Sequence, residues 1–206
     1  MAVPDRRKHW KKVYAGKSED EVSWFQERPD TSLGLIARSG VGRDAPVIDI
    51  GGGASRLADR LFEAGYTDLT VLDLAEPALA RSRARLGEKA RAVHWIVADI
   101  TAWKPARRWR LWHDRAMLHF LTEAKDRAAY RKVLLEALEP GGTAIMATFA
   151  LDGPERCSGL PVVRYSGVTL AAELGGEFRL LETVSEEHRT PGGAIQRFQF
   201  SRLQRS

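Results

Sequence analysis

Apolar and polar positions between residues 46 and 73 change from strand spacing to helix spacing and back again. Residues 46–50 form a short apolar run, and three consecutive glycines follow it directly. Residues 55–64 then repeat apolar side chains at the spacing of one helix face. A second apolar run, residues 69–72, leads to Asp73. The pattern predicts a strand, a tight turn, a helix and a second strand that ends in an acid.

The rest of the chain continues this alternation, which predicts an α/β protein with a mostly parallel sheet. Pro191, Gly192 and Gly193 separate the last two β-like runs, so the chain is expected to end in an antiparallel hairpin. A long loop is predicted over residues 151–167. Further helices are expected over residues 77–86, 123–138 and 168–174, the second of them capped by Thr122. Further strands are expected over residues 94–98, 109–112, 143–149, 178–184 and 194–203.

Residues 1–45 precede the first strand and carry four large aromatic side chains. Trp10 and Tyr14 are four positions apart and share one face of a predicted helix, while Trp24 and Phe25 are adjacent. A short helix is predicted over residues 33–38, with three candidate capping residues, Asp30, Thr31 and Ser32. A length of 206 residues fits one domain, with residues 1–45 as a helical cover and residues 46–206 as the α/β core.

Composition and charge are those of a globular protein that lies outside a membrane. The apolar fraction is 44%, and no apolar run approaches the roughly 18 residues that a membrane helix needs. The basic start of the chain lacks the apolar stretch of a signal peptide. A single cysteine, Cys157, excludes an intrachain disulfide and favours the reducing cytoplasm. The net charge is +5, but the sequence has no nucleic-acid-binding motif and no cysteine–histidine spacing typical of a zinc site. Neither a nucleic acid nor a zinc ion is therefore expected to bind.

The glycine turn and the acid after it indicate a nucleotide ligand. Glycine allows a sharp turn and lets a ligand approach the backbone closely, because it has no Cβ. The following helix presents free N–H groups and a partial positive charge at its first turn. Asp73 lies about twenty residues beyond the glycines, as in nucleotide-binding βαβ units, where such an acid accepts hydrogen bonds from ribose hydroxyls. The ligand is therefore expected to contain adenosine with an unmodified ribose.

The turn itself distinguishes two kinds of adenosine ligand. A dinucleotide fingerprint has its third glycine where this chain has Arg56, whose bulk would spoil the close helix–strand contact. Residues 49–55, DIGGGAS, instead resemble motif I of the class I S-adenosylmethionine-dependent methyltransferases, D-x-G-x-G-x-G, with Ser55 at the last glycine. A helix followed by Pro140-Gly-Gly and an apolar strand resembles a later marker of that family. The resemblance implies a doubly wound, seven-stranded sheet with helices on both faces, and a methyltransferase activity.

The resemblance also implies a set of residues that bind S-adenosyl-L-methionine and its product S-adenosyl-L-homocysteine. The acid that closes the second strand would bind the ribose, and the acid after the third strand would meet the adenine amino group. The N-terminal segment would lie across the cofactor. The implied residues are Asp49, Gly51, Gly52, Gly53 and Ser55 in the turn, Asp73 and Leu74, Asp99 and Ile100, and Trp10 and Tyr14 in the cover. No metal is required.

Three residues after the fourth strand are candidates for catalysis: His113, Asp114 and His119. An unperturbed histidine titrates near pH 6.5 and can accept a proton at neutral pH. Asp114 could orient His113 or Arg115, or bind a cationic substrate. The alternative is a structural Asp114–Arg115 pair, with His119 packed under the next helix. If His113 acts on the acceptor, His113→Ala is expected to lower turnover and spare cofactor binding.

The sequence leaves the methyl acceptor open. The (Asp/Asn)-Pro-Pro-(aromatic) motif, which the family uses to methylate nitrogens of bases and amides, is replaced by residues 113–116, HDRA. A small molecule is therefore the first expectation, and a protein lysine side chain is the alternative. Two other classes stay open: a nicotinamide-dependent oxidoreductase, and a non-catalytic nucleotide-binding module that keeps the fold without the reaction.

Overall fold

The computed structural model describes residues 5–206, which form a seven-stranded sheet covered by helices on both faces. The strands of this sheet are β1 (Val47–Ile50), β2 (Leu69–Asp73), β3 (Val93–Val97), β4 (Trp109–Arg115), β5 (Leu138–Phe149), β8 (Phe178–Arg189) and β9 (Ile195–Arg205). Their order across the sheet is β3-β2-β1-β4-β5-β9-β8. The first five strands in this order are parallel, and β9 runs antiparallel to both of its neighbours.

Alternate side chains of the central strands build one apolar core on each face of the sheet. Val47 belongs to the core that also holds buried side chains of α2, α3 and α4, and Ile48 to the core that holds those of α5 and α6. Packing on both faces buries every residue of β1 and β2. The helices are α1 (Arg6–Gly16), α2 (Asp30–Arg38), α3 (Leu57–Glu63), α4 (Glu76–Leu86), α5 (Ala124–Ala137) and α6 (Gly167–Leu174).

The predicted fold class is confirmed, including the antiparallel strand near the C-terminus. Gly65 has φ +89° directly after α3, and the N–H of Tyr66 donates to the carbonyl oxygen of Leu61 at 3.0 Å, as in a helix that ends on a left-handed glycine. None of the helices within residues 5–206 combines the length and the apolar character needed to cross a membrane.

Several element boundaries differ from the sequence-based expectations. Strand β4 continues through Arg115, and β8 continues to Arg189, because the backbone of these polar residues still pairs with the neighbouring strands. Residues 139–142 lie inside β5 and make an irregular register opposite β4, where the expectation was the end of a helix. The loop before α6 contains a small hairpin of β6 (Arg156–Cys157) and β7 (Leu160–Pro161).

The expected side-chain caps of two helices are absent among the described residues. Helix α2 begins at Asp30 after Pro29, and no side chain caps it. Helix α5 begins after Glu123 rather than directly after Thr122, again without a side-chain cap. In α2 the hydroxyl of Ser32 has a different partner, the ring of His113 at 2.9 Å.

Candidate functional site

A cavity opens at the carboxyl ends of β1, β2, β3 and β4, where the strand order reverses. Ligands of doubly wound sheets bind in this place. The cavity contains about 850 Å³ of space, its open mouth included. Loops after the four strands form its floor, and Arg6, Trp10 and Tyr14 of α1 line it from the N-terminal side.

The glycine turn packs too tightly for any side chain. Gly51 has φ +67°, and a Cβ there would lie 2.9 Å from the Cβ of Met117. Gly53 has φ +43°, and a Cβ there would lie 2.8 Å from Oδ2 of Asp73 and 2.9 Å from the hydroxyl oxygen of Tyr14. The absence of a Cβ therefore brings the turn, the acid and the covering helix together.

Asp73 ends β2 with a carboxylate that is 8% exposed and faces the cavity. Its Oδ1 accepts a hydrogen bond from the N–H of Ala75 at 2.7 Å. Burial raises the pKa of this carboxyl group to about 7, and the nearby charge of Asp49 also raises it. Hydrogen bonds from a ligand's hydroxyl groups would favour the charged form and lower this pKa.

Leu74, Asp99 and Ile100 extend the cavity wall along the ends of β2 and β3. Oδ1 of Asp99 accepts from the N–H and the hydroxyl of Thr101, at 3.0 and 2.7 Å. Arg6 lies 3.7 Å from Oδ2 of the same carboxylate. The Asp99 side chain is a third exposed, so it can still receive a ligand donor at the mouth of the cavity.

Three aromatic side chains of the N-terminal segment form one cluster over the cavity. The ring centroids of Trp10 and Trp24 are 5.6 Å apart in an edge-to-face arrangement, and those of Tyr14 and Trp24 are 6.0 Å apart. Trp10 also meets Phe120, at 5.0 Å. All four rings line the cavity, so the aromatic side chains that pack the N-terminal segment onto the core also form part of the cavity wall.

Ion pairs fasten the N-terminal segment to the core. Arg6 lies 3.2 Å from Asp126 at the start of α5, in addition to its contact with Asp99. Glu19 pairs with Arg56, at 2.7 Å, and with Arg85 of α4, at 2.5 Å. The arginine that occupies the third-glycine position of a dinucleotide fingerprint thus anchors the cover of the site.

His113 lies under the glycine turn with both ring nitrogens occupied. Nδ1 is 2.7 Å from Oδ1 of Asp49, and Nε2 is 2.9 Å from the hydroxyl oxygen of Ser32. The ring is 3% exposed. It contacts a second cleft, above the glycine turn, which Asp49, Gly52 and Ser55 also line.

Asp114 and His119 lie beneath the cavity floor in the apolar core. Asp114 accepts from the hydroxyl of Tyr130 at 2.6 Å and from the N–H of Met117 at 2.8 Å, so it holds the turn after β4. Burial raises its pKa to about 6. His119 is fully buried between Phe120 and Phe149, and burial lowers its pKa to about 3.

A further part of the cavity wall consists of Arg115 at the end of β4, Phe120, Cys157 of the small hairpin and Phe198 of β9. The position of Arg115 after the fourth strand indicated its place at the site, and Cys157 was a candidate from the late loops. The two phenylalanines were not expected there. Phe198 carried no local signal, because only the insertion of β9 beside β5 brings it near the site.

The structure thus brings seven of the expected cofactor residues to one cavity: Trp10, Tyr14, Gly51, Asp73, Leu74, Asp99 and Ile100. Gly53 packs against Asp73 and Tyr14 of this set, and Asp49, Gly52 and Ser55 line the adjoining cleft. Among the described residues, no group of three or more histidine, cysteine and acidic side chains is arranged to hold a metal ion.

Comparisons with known proteins agree with this architecture. Residues 47–142 match the sequence model of a family described as methyltransferase domain. The comparison with curated proteins finds no match. Among solved structures, the N-methyltransferase NodS from Bradyrhizobium japonicum, in complex with S-adenosylhomocysteine, is 17% identical with a TM-score of 0.73, over 98% of this chain and 99% of that chain.

A second similar structure is the 1,6-didemethyltoxoflavin-N1-methyltransferase from Burkholderia thailandensis, with bound 1,6-didemethyltoxoflavin and S-adenosylhomocysteine. It is 21% identical with a TM-score of 0.70, over 100% of this chain and 92% of that chain. The match over residues 47–142 identifies a methyltransferase domain in that part of the chain, and the chain as a whole shares the fold of these two methyltransferases.

Proposed function

We propose that the chain transfers a methyl group from S-adenosylmethionine to a small-molecule acceptor, and that both bind in the cavity beneath α1. The observation that carries the proposal is the enclosure of this cavity. One apolar, aromatic-lined space adjoins both Asp73 and the unexpected wall around Phe198, with α1 over it. A structural neighbour holds a small molecule, 1,6-didemethyltoxoflavin, beside its cofactor product, which supports an acceptor of this size.

The cofactor would lie along the carboxyl ends of β1, β2 and β3. Asp99 and Ile100 would receive the adenine, and Asp73 would accept hydrogen bonds from the ribose hydroxyls; all three residues line the cavity, which supports this placement. The amino-acid tail would then extend toward Gly51 and the turn. Bound S-adenosylmethionine would supply a methyl group that is already electrophilic, because it is attached to a sulfonium.

The chain's contribution is to position the reactants and to exclude water. The aromatic cluster of Trp10, Tyr14 and Trp24 covers the space and would limit the access of solvent to it. We propose positioning roles for His113 and Asp114, since each is already hydrogen-bonded in the support of the turn or of the floor. His119, buried beneath the floor, would support Phe120 rather than accept a proton.

Transfer of a labelled methyl group tests the nature of the acceptor. A cell extract would be divided by dialysis into small molecules and macromolecules, and each fraction would be incubated with the protein and S-adenosylmethionine labelled in its methyl group. The proposal predicts a labelled product other than S-adenosylmethionine in the small-molecule fraction, and Asp73→Ala should abolish its formation. Label only in the protein fraction would favour the lysine alternative, and label in neither fraction would contradict the proposal.

A further inference from the structure

Arg115 is a buried guanidinium in the wall of the cavity whose hydrogen bonds are incomplete. It ends β4, its side chain is 11% exposed, and it lines both the cavity and the adjoining cleft above the glycine turn. Nη1 donates to the carbonyl oxygen of Trp24 at 3.1 Å. Nε and Nη2 are buried and have no hydrogen-bond partner in residues 5–206.

Glu186 is the nearest acid, but it does not complete these hydrogen bonds. Its Oε1 lies 3.5 Å from Nη2, which is longer than an ordinary N–H···O hydrogen bond. The same oxygen already accepts from Nε2 of Gln26 at 3.0 Å. Burial lowers the pKa of Arg115, while Glu186 opposes that shift. The guanidinium therefore has Glu186 as an ion-pair partner, while two of its donors lack a hydrogen-bond partner among the described residues.

The two free donors are adjacent and parallel, since Nε–H and the neighbouring Nη2–H form one edge of the guanidinium plane. This edge matches the two oxygens of a carboxylate, which makes bidentate pairs with arginine. Phe198 lies under the guanidinium, with Cζ 4.6 Å from the ring centroid, and the Trp24 carbonyl fixes the other side. The donor edge is thus oriented before any ligand arrives.

The geometry points to Arg115 as the carboxylate-binding residue of the cavity. This inference rests on the proposed function, because it deepens the recognition of ligands in the same site. Two ligands could bring the carboxylate: the amino-acid tail of the cofactor, since Gly51 lines the same two spaces as Arg115, or an aromatic acid as acceptor, since Phe120 and Phe198 line the wall beside it.

Calorimetric titration with two pairs of probes separates these sources. S-Adenosylhomocysteine carries the tail carboxylate, and 5′-methylthioadenosine lacks the tail. Benzoate and its neutral isostere benzamide are titrated into protein saturated with S-adenosylhomocysteine. The variants are Arg115→Met, Arg115→Lys and the control Arg110→Met, an exposed arginine at the other end of β4. If Arg115→Met does not fold, Arg115→Lys, which keeps the charge but loses the fork, carries the test.

A tail carboxylate at Arg115 predicts that Arg115→Met weakens S-adenosylhomocysteine binding roughly 10- to 100-fold and leaves 5′-methylthioadenosine binding unchanged. An acceptor carboxylate predicts unchanged S-adenosylhomocysteine binding, and a preference for benzoate over benzamide that Arg115→Met removes. Arg110→Met should match the wild type in both cases. If the Arg115 variants change neither preference, the inference is wrong and the proposed function stands. If the wild type does not bind S-adenosylhomocysteine, the proposed function fails and the inference with it.

Discussion

Asp73 combines deep burial with a role that would need its charge. The unliganded protein holds this carboxyl group at a pKa of about 7, chiefly because burial penalises the charged form. A ligand that donates two hydroxyl hydrogen bonds would replace the water that the charged form has lost. Cofactor affinity is therefore expected to rise as the pH increases through about 7.

The same pKa has a consequence for the stability of the unliganded protein. In the unfolded chain the group titrates near pH 4, so between about pH 4 and pH 7 the folded state holds a proton that the unfolded state has released. Its contribution to the free energy of unfolding therefore declines as the pH rises through this window.

Asp73→Asn removes this titration while keeping the shape of the side chain. We predict that the unliganded variant is more stable than the wild type at pH 8, by about 2–4 kcal/mol, and that the difference shrinks toward pH 4. Thermal or urea unfolding at several pH values measures it. If the variant is less stable than the wild type at pH 8, burial of the charged Asp73 carboxylate does not destabilise the unliganded protein as described.

His113 is expected to act through Asp49 and the glycine turn. His113→Ala leaves the buried Asp49 carboxylate without its ring partner, so we predict a loss of about 2–3 kcal/mol in the free energy of unfolding and weaker cofactor binding. Ser32→Ala, which removes only the second partner of the ring, is the matched control and should have a smaller effect. Unchanged stability and cofactor affinity, with turnover lost, would instead restore His113 as the catalytic base.

The N-terminal segment is the element on which closure of the site depends. Its aromatic cluster lines the cavity, and its ion pairs reach three separate parts of the core: Asp99 after β3, Asp126 in α5, and the arginines around α3 and α4. We therefore expect ligand binding to depend on how firmly these ion pairs hold the segment on the core.

Loss of the Glu19 pairs tests this coupling. Glu19→Gln removes the partner of both Arg56 and Arg85, and we predict faster hydrogen exchange in residues 6–27 and a cofactor affinity weaker by roughly 3- to 10-fold, equivalent to about 1 kcal/mol. Glu88→Gln, which removes one fully exposed pair with Arg91, is the control. Equal exchange rates in the two variants would show that the cover does not depend on Glu19.

The elements that the sequence predicted well are those with local signals. The unit from β1 to β2 carries its own apolar periods, its glycine turn and its closing acid, and the structure has each element within a few residues of the expected place. The far end of β8 was missed because Glu186 and His188 interrupt the apolar pattern. They belong to the strand because they pair with β9, which follows them across a turn.

Roles that depend on distant partners could not be read from the sequence. Ser32 resembles a helix cap, but its hydroxyl bonds a ring 81 residues later in the chain. In the sequence, Arg56 served only as an argument against a dinucleotide ligand. Its ion pair with Glu19 forms only when the N-terminal segment packs against the start of α3, and the sequence does not show that packing. The direction of a polar side chain follows from which elements meet around it, and a single sequence does not contain that information locally.

At the scale of the whole molecule, topology gathers the site from nearly the full length of the chain. The reversal of strand order beside β1 leaves a crevice between the loops after β1 and β4. The antiparallel insertion of β9 then brings Phe198 to the cavity and sets Glu186 beside Arg115. Residues from Arg6 to Phe198 therefore line one space, and the order of the strands places the proposed cofactor and acceptor sites side by side.

The central claim, a S-adenosylmethionine site built on Asp73, is tested most directly by calorimetric titration of the wild type and Asp73→Ala. We predict that the wild type binds S-adenosylmethionine and S-adenosylhomocysteine but not NAD, and that Asp73→Ala weakens both by at least about 10-fold, since ribose hydroxyls lose a charged acceptor. Binding of NAD alone, or S-adenosylhomocysteine affinity that is the same in both proteins, would contradict the account.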